Sequence, residues 1–116
     1  MRDFRKLEVW KEGIDFCQAI YQLTSTLPKD EKYGLVSQMN RAGVSIPSNL
    51  AEGCSRKSKV EFAKYIDYSL GSAFELETQI IISSRIGYIE EKLGQSYLTR
   101  LNVLQKRINA LKNSIS

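Results

Sequence analysis

The sequence predicts an all-α protein, an antiparallel up-down-up-down four-helix bundle, and three observations carry that expectation. Apolar residues recur at three- and four-residue spacing through four segments, no segment alternates as a strand would, and the breaks between segments are short. With no linker or composition shift, residues 1–116 are expected to form a single domain.

The first helix is expected over about residues 6–26, ending at Leu27-Pro28 because the residue before a proline avoids helical backbone. It carries two neighbouring apolar stripes. One is Val9, Phe16, Ile20, Leu23 and Leu27; the other is Trp10, Ile14, Cys17 and Tyr21. Together they cover about half the circumference, more than the ~100° one core contact needs. Either the core face is wide or the second stripe meets another subunit.

The second helix is expected over about residues 30–52, with Gly53 as its C-terminal glycine and a kink between Gly43 and Pro47. Leu35, Met39, Ala42, Ile46 and Leu50 form its apolar stripe, and Gln38, Arg41, Ser45, Asn49 and Glu52 a polar stripe beside it. The remaining face holds Ser37, Asn40, Val44, Pro47, Ser48 and Ala51, where a lone surface helix would carry lysine and glutamate. This helix is therefore expected to be contacted on more than one side.

The third helix, about residues 58–87, opens on Ser58-Lys-Val-Glu61, a capping-box pattern. Phe62, Ile66, Ser69, Ala73, Leu76 and Ile80 line its core face, flanked by Leu70, Phe74 and Ile81. The fourth, about residues 90–112, repeats Leu93, Tyr97, Leu101, Leu104, Ile108 and Leu111.

Composition narrows the chemistry. The chain has 42% hydrophobic and 26% charged residues, an ordinary globular balance, and no run near the ~18 apolar residues of a membrane span. Residues 1–13 contain no signal-peptide core, so a cytoplasmic location is expected, with Cys17 and Cys54 as free thiols. There is no histidine, no metal-ligand cysteine spacing and no glycine-rich phosphate loop. No metal, cofactor or catalytic residue is therefore expected. The enzymatic alternative is a hydrolase using Glu52, Glu75 or Glu77, which needs two carboxylates with raised pKa in one pocket.

Several polar residues fall on faces that should be covered. Glu77 lies between core positions of the third helix, where an unpaired carboxylate would cost several kcal/mol. Arg41, at a matching height on the second helix, is its expected partner, and both Arg41→Ala and Glu77→Ala are expected to unfold or dissociate the protein. Ser45, Asn49 and Glu52 are expected to serve a polar core or interface, bonding third-helix groups such as Ser69 and backbone amides freed by Pro47; the alternative is that they line a pocket or a central pore.

The net charge of +4 is unevenly spread. Residues 92–116 hold Lys92, Arg100, Lys106, Arg107 and Lys112 and no acid, while the other twelve bases and all thirteen acids lie in residues 1–91. An up-down-up-down topology brings the N-terminus, the second connection and the C-terminus to one end. That end gathers Arg2, Arg5, Lys6, Arg56, Lys57, Lys59, Lys106, Arg107 and Lys112 against Asp3, Glu8, Glu52 and Glu61. Arg56, Lys57, Lys59, Arg100, Lys106, Arg107 and Lys112 are accordingly the candidate contacts to an RNA or DNA phosphate backbone. The alternative is a solvated face that keeps the protein soluble.

Four blocks carry a family likeness: Phe4…Leu7-Glu-Val-Trp10, Glu31-Lys-Tyr-Gly-Leu35, Arg41-Ala…Ser45-Ile46…Asn49-Leu-Ala-Glu-Gly53, and Gly71-Ser…Glu75-Leu-Glu-Thr-Gln79. In order and spacing the chain resembles the four-helix-bundle family of 23S rRNA-intervening-sequence proteins, departing at Gly43, where alanine is usual, and Leu50, where isoleucine is common. The resemblance implies a homopentamer with no established molecular function and no catalytic residues. Related accessory proteins of diversity-generating retroelements bind nucleic acid and a reverse transcriptase. The expectation is thus a non-enzymatic homo-oligomer that binds RNA or DNA through its basic end. Its alternative is a protein-interaction scaffold without nucleic-acid binding.

Overall fold

The computed structural model describes residues 2–115. Four helices, α1 (Glu8–Thr24), α2 (Leu35–Cys54), α3 (Lys59–Arg85) and α4 (Glu91–Ser114), circle one core in chain order. Each packs on its sequence neighbours and α4 returns to α1, the thinnest of the four seams. Short connections force antiparallel neighbours, and the bundle measures 44 × 24 × 20 Å.

Helix limits follow from local chemistry. The first segment is divided, because Leu7 is extended and separates a 3-10 turn, Phe4–Lys6, from α1. The second begins five residues later than expected. Lys29–Glu31 forms a 3-10 turn, and Gly34 breaks the backbone before Leu35. Glu31 turns back to cap α2, accepting a hydrogen bond from the Leu35 amide at 3.2 Å. Ser58 caps α3 by accepting from the Glu61 amide at 3.0 Å, as the capping pattern requires.

The C-terminal glycine is Gly87, not Gly53. Gly87 has φ of 86°, and the amides of Tyr88 and Gly87 close a Schellman pair on the carbonyls of Ser83 and Ser84. Gly53 stays inside α2, where an added Cβ would lie 2.9 Å from Tyr65 Cβ and 3.0 Å from the Phe62 ring. Its glycine serves close helix packing rather than an unusual backbone angle.

The core consists of Ile20 and Leu23 from α1, Met39, Ile46 and Leu50 from α2, Phe62, Ile66, Leu76 and Ile80 from α3, and Leu101 and Ile108 from α4. Each is fully buried, and each contributes about 1.5–3 kcal/mol of transfer free energy. Leu98 and Gly94 are buried members of α4 outside its expected stripe, while Leu93 at the head of that stripe is exposed. Among the described residues no helix is long and apolar enough to cross a membrane.

Candidate interaction surfaces

The two apolar stripes of α1 separate. Val9, Phe16, Ile20 and Leu23 enter the core, whereas Trp10 and Cys17 are half-buried and Ile14 and Tyr21 are 42% and 50% exposed. Val44 of α2 is also exposed, Val36 and Ala51 are half-buried, and Tyr33 before the helix is 87% exposed. Tyr21, Tyr33, Val36 and Val44 line one shallow depression with Asn40 and Arg41. The α1–α2 outer face is therefore an apolar strip bordered by small uncharged residues and, at the depression, by Lys32 and Arg41. A second exposed group, Phe74, Ile82 and Ile86, sits on the outer face of α3.

The polar stripe of α2 lies on the α3 seam, but not in the expected pairing. Glu77 is half-buried on the α4 side of α3, where its carboxylate accepts a hydrogen bond from Gln105 Nε2 at 2.8 Å. Gln105 also reaches the Ala73 carbonyl at 3.5 Å. Arg41 is exposed on the opposite side of α3, lining the α2–α3 seam with Glu75. Glu77 faces α4, whereas Arg41 lies on the α2–α3 seam, so the two side chains fall on different sides of α3. Asn49 does not reach α3; its Nδ2 donates to the Ser45 carbonyl of its own helix at 2.9 Å. Ser69 makes the cross-helix bond instead, donating to the Ile46 carbonyl at 2.8 Å.

At the basic end, many of the cations are already occupied. Arg56 reaches Glu52 at 3.2 Å, donates to the Tyr65 hydroxyl at 2.7 Å and lies 4.7 Å from that ring's centre. Glu52 thus faces its own helix end rather than α3. Arg107 pairs with Glu12 of α1 at 2.8 Å, and Lys112 with Asp67 of α3 at 2.7 Å. Arg100 stacks over Phe16 at 5.3 Å in a groove of about 300 Å³ between α1 and α4. Lys6, Lys57, Lys59 and Lys106 are exposed and have no ion pair among the described residues.

The Lys112–Asp67 contact also sets heights. Asp67 lies eight residues into α3 from Lys59, so Lys112, two residues before the end of α4, pairs about 12 Å from the start of α3. The cations form a slope along the bundle rather than one compact cap. Glu12 and Asp67 join the acids at this end and reduce its excess of positive charge.

Both thiols are shifted upward. Burial raises the Cys17 pKa; for Cys54 burial dominates, Asp3 adds to it and Arg2 opposes it. Tyr88 is raised because its hydroxyl donates to Glu31 at 3.1 Å and meets that carboxylate's charge.

The architecture has a solved counterpart. A Bacteroides thetaiotaomicron protein of unknown function, from the S23 ribosomal protein family, superposes with a TM-score of 0.83 at 23% identity. The match covers 90% of this chain and 97% of that one. No functionally curated protein matches. The family model for 23S rRNA-intervening sequence proteins matches residues 5–110, and the chain belongs to that family.

Proposed function

We propose that this protein is a non-enzymatic assembly module whose copies associate through the α1–α2 outer face. The carrying observation is the exposed strip of Ile14, Tyr21, Val44 and Tyr33 beside half-buried Trp10 and Cys17. Contiguous apolar surface of this kind is costly in water and marks an interaction site. The α2 face beside it offers Ser37, Ser48 and Ala51, small residues with no charge, while Lys32 and Arg41 stand at the edge of the depression. A second copy supplies matching apolar surface, including the separate group on α3, and two different faces favour closed rings over two-fold dimers. Sedimentation velocity on wild type and on the Ile14→Glu/Val44→Glu variant tests this. The expected result is an oligomeric wild type, with five copies if the family resemblance holds, and a folded monomeric variant. A wild type that stays monomeric across the micromolar range rejects it.

A second reading adds RNA or DNA. Lys6, Lys57, Lys59 and Lys106 are exposed without acidic partners among the described residues, and a ring would repeat them around one end. Contact would be to phosphates with little base selectivity. Anisotropy of labelled RNA and DNA across a salt series should give binding that falls linearly in log–log. That binding should be lost in the Lys57→Glu/Lys59→Glu/Lys106→Glu variant. Assembly without such binding would make the protein an interaction scaffold for another protein.

A further inference from the structure

Midway along the α2–α3 seam, Gln38, Arg41 and Ser45 of α2 face Ser72 and Glu75 of α3 across a cavity of about 220 Å³. Its size equals about seven waters. Most of the polar groups around it have no partner among the described residues, Glu75 excepted, which accepts from Gln79. Arg41 and Glu75 carry opposite charges into the same cavity, yet no ion pair joins them.

The two serines are equally idle. Thr78, Ser96 and Thr99 turn their hydroxyls back onto their own helices, to Phe74, Leu93 and Gln95, and Ser69 spends its hydroxyl across to Ile46. Ser45 and Ser72 are half-buried, and neither hydroxyl has a hydrogen bond among the described residues. Behind Glu75, Gln79 donates to its carboxylate at 3.2 Å. Gln79 is itself only 6% exposed, and its Oε1 is buried with no partner. That oxygen lies behind Glu75 and not on the lining of the cavity.

We propose that this cavity binds a small zwitterion, an α-amino acid. Its carboxylate would lie on the Arg41 guanidinium, whose fork matches that geometry, and its ammonium on Glu75. Ser45, Ser72 and Gln38 fix the orientation through neutral donors and acceptors. The cation and anion stand on different helices, so a molecule carrying only one of the two charges leaves the other wall unanswered. This site is separate from the exposed lysines but shares Arg41 and Ser45 with the depression beside the Ile14–Val44 strip; the Ile14→Glu/Val44→Glu variant keeps all of its residues, so binding there is read apart from assembly.

The test is heteronuclear NMR of the full chain titrated with glycine, L-serine and L-glutamine, beside acetate and methylamine, each up to about 10 mM, a range that detects millimolar affinity. The expected result is saturable movement of amides near Arg41 and Glu75 with at least one amino acid and not with acetate or methylamine. Arg41→Gln and Glu75→Gln, both exposed positions, should each abolish it while leaving the rest of the spectrum in place. No saturable movement with any amino acid overturns the proposal and leaves a water-filled seam. Equal movement with acetate alone, or wild-type movement in both variants, overturns it as well.

Discussion

Ser69 donates its hydroxyl proton to the Ile46 carbonyl at 2.8 Å, tying α3 to α2 one residue before Pro47. Both residues are buried, Ser69 completely. Pro47 has no amide to return to the Gly43 carbonyl, so α2 lacks a rung at this point, and the serine cross-links the helices beside the gap. Ser69→Ala should therefore destabilise the fold by about 1 kcal/mol, the net worth of one buried hydrogen bond. Urea unfolding would read this as a lower midpoint at an unchanged slope.

Two glycines should respond to alanine in opposite directions. At Gly53 a new Cβ meets Tyr65 and Phe62 near 3 Å, inside a tightly packed turn of helix. Gly53→Ala should cost about 1–3 kcal/mol through overpacking. At Gly71, in the middle of α3, a Cβ meets nothing within 4 Å. Gly71→Ala should stabilise the chain by about 0.5–1 kcal/mol, since glycine in a helix interior is the poorer former. Chemical unfolding of both variants checks the pair, and the signs matter more than the sizes.

Glu77 and Arg41 should also part company. Glu77→Ala removes the shorter of the two acceptors of Gln105 Nε2 and leaves that half-buried amide only the 3.5 Å contact to the Ala73 carbonyl, a loss of about 1–2 kcal/mol. Arg41→Ala removes an exposed side chain with no ion pair and should stay within about 0.5 kcal/mol of wild type. Matched losses in both variants would restore the Arg41–Glu77 pairing.

What was legible in the sequence was whatever depends on periodicity. Phe62, Ile66, Ser69, Ala73, Leu76 and Ile80 are all buried on the face their spacing assigned, and the Ser58 cap is in place. Periodicity gives a direction around one helix, however, and not the identity of the neighbour on that side. Glu77 was placed on the correct helix but matched to α2, because only packed helices reveal that its arc faces α4 and Gln105. Helix starts failed for a related reason. Glu31 was counted as helical, whereas its side chain is spent capping Leu35 and binding Tyr88, which lies in a distant connection. The basic end was legible as composition, but Glu12 and Asp67 come to Arg107 and Lys112 only through tertiary structure.

Cys17 reports on the proposed interface. Its thiol is raised by burial and lies half-buried in the Trp10–Tyr21 stripe, while Cys54 is buried in the core. Near pH 8 a disulfide reagent should modify Cys17 slowly and Cys54 only on unfolding. If copies cover the α1–α2 face, Cys17 should react several-fold faster in the Ile14→Glu/Val44→Glu variant than in wild type. Equal rates would remove that face from the assembly.

The Tyr88–Glu31 bond joins the α1–α2 connection to the α3–α4 connection and should be visible in an alkaline titration. The hydrogen bond to Glu31 and the nearby negative charge raise the Tyr88 pKa in the folded state above the unfolded value of about 10. A tyrosine raised in this way is neutral and bonded below that pH, so its contribution is complete there and is lost as pH rises through the folded pKa. Among six tyrosines, ultraviolet titration of tyrosinate should show one that ionises late. Glu31→Gln removes the carboxylate charge and should lower the pKa of that step, and Tyr88→Phe should delete it altogether. Stability measured above pH 10 should then fall less steeply in Tyr88→Phe than in wild type. A late step that persists in Tyr88→Phe would assign it to another tyrosine and separate the two connections.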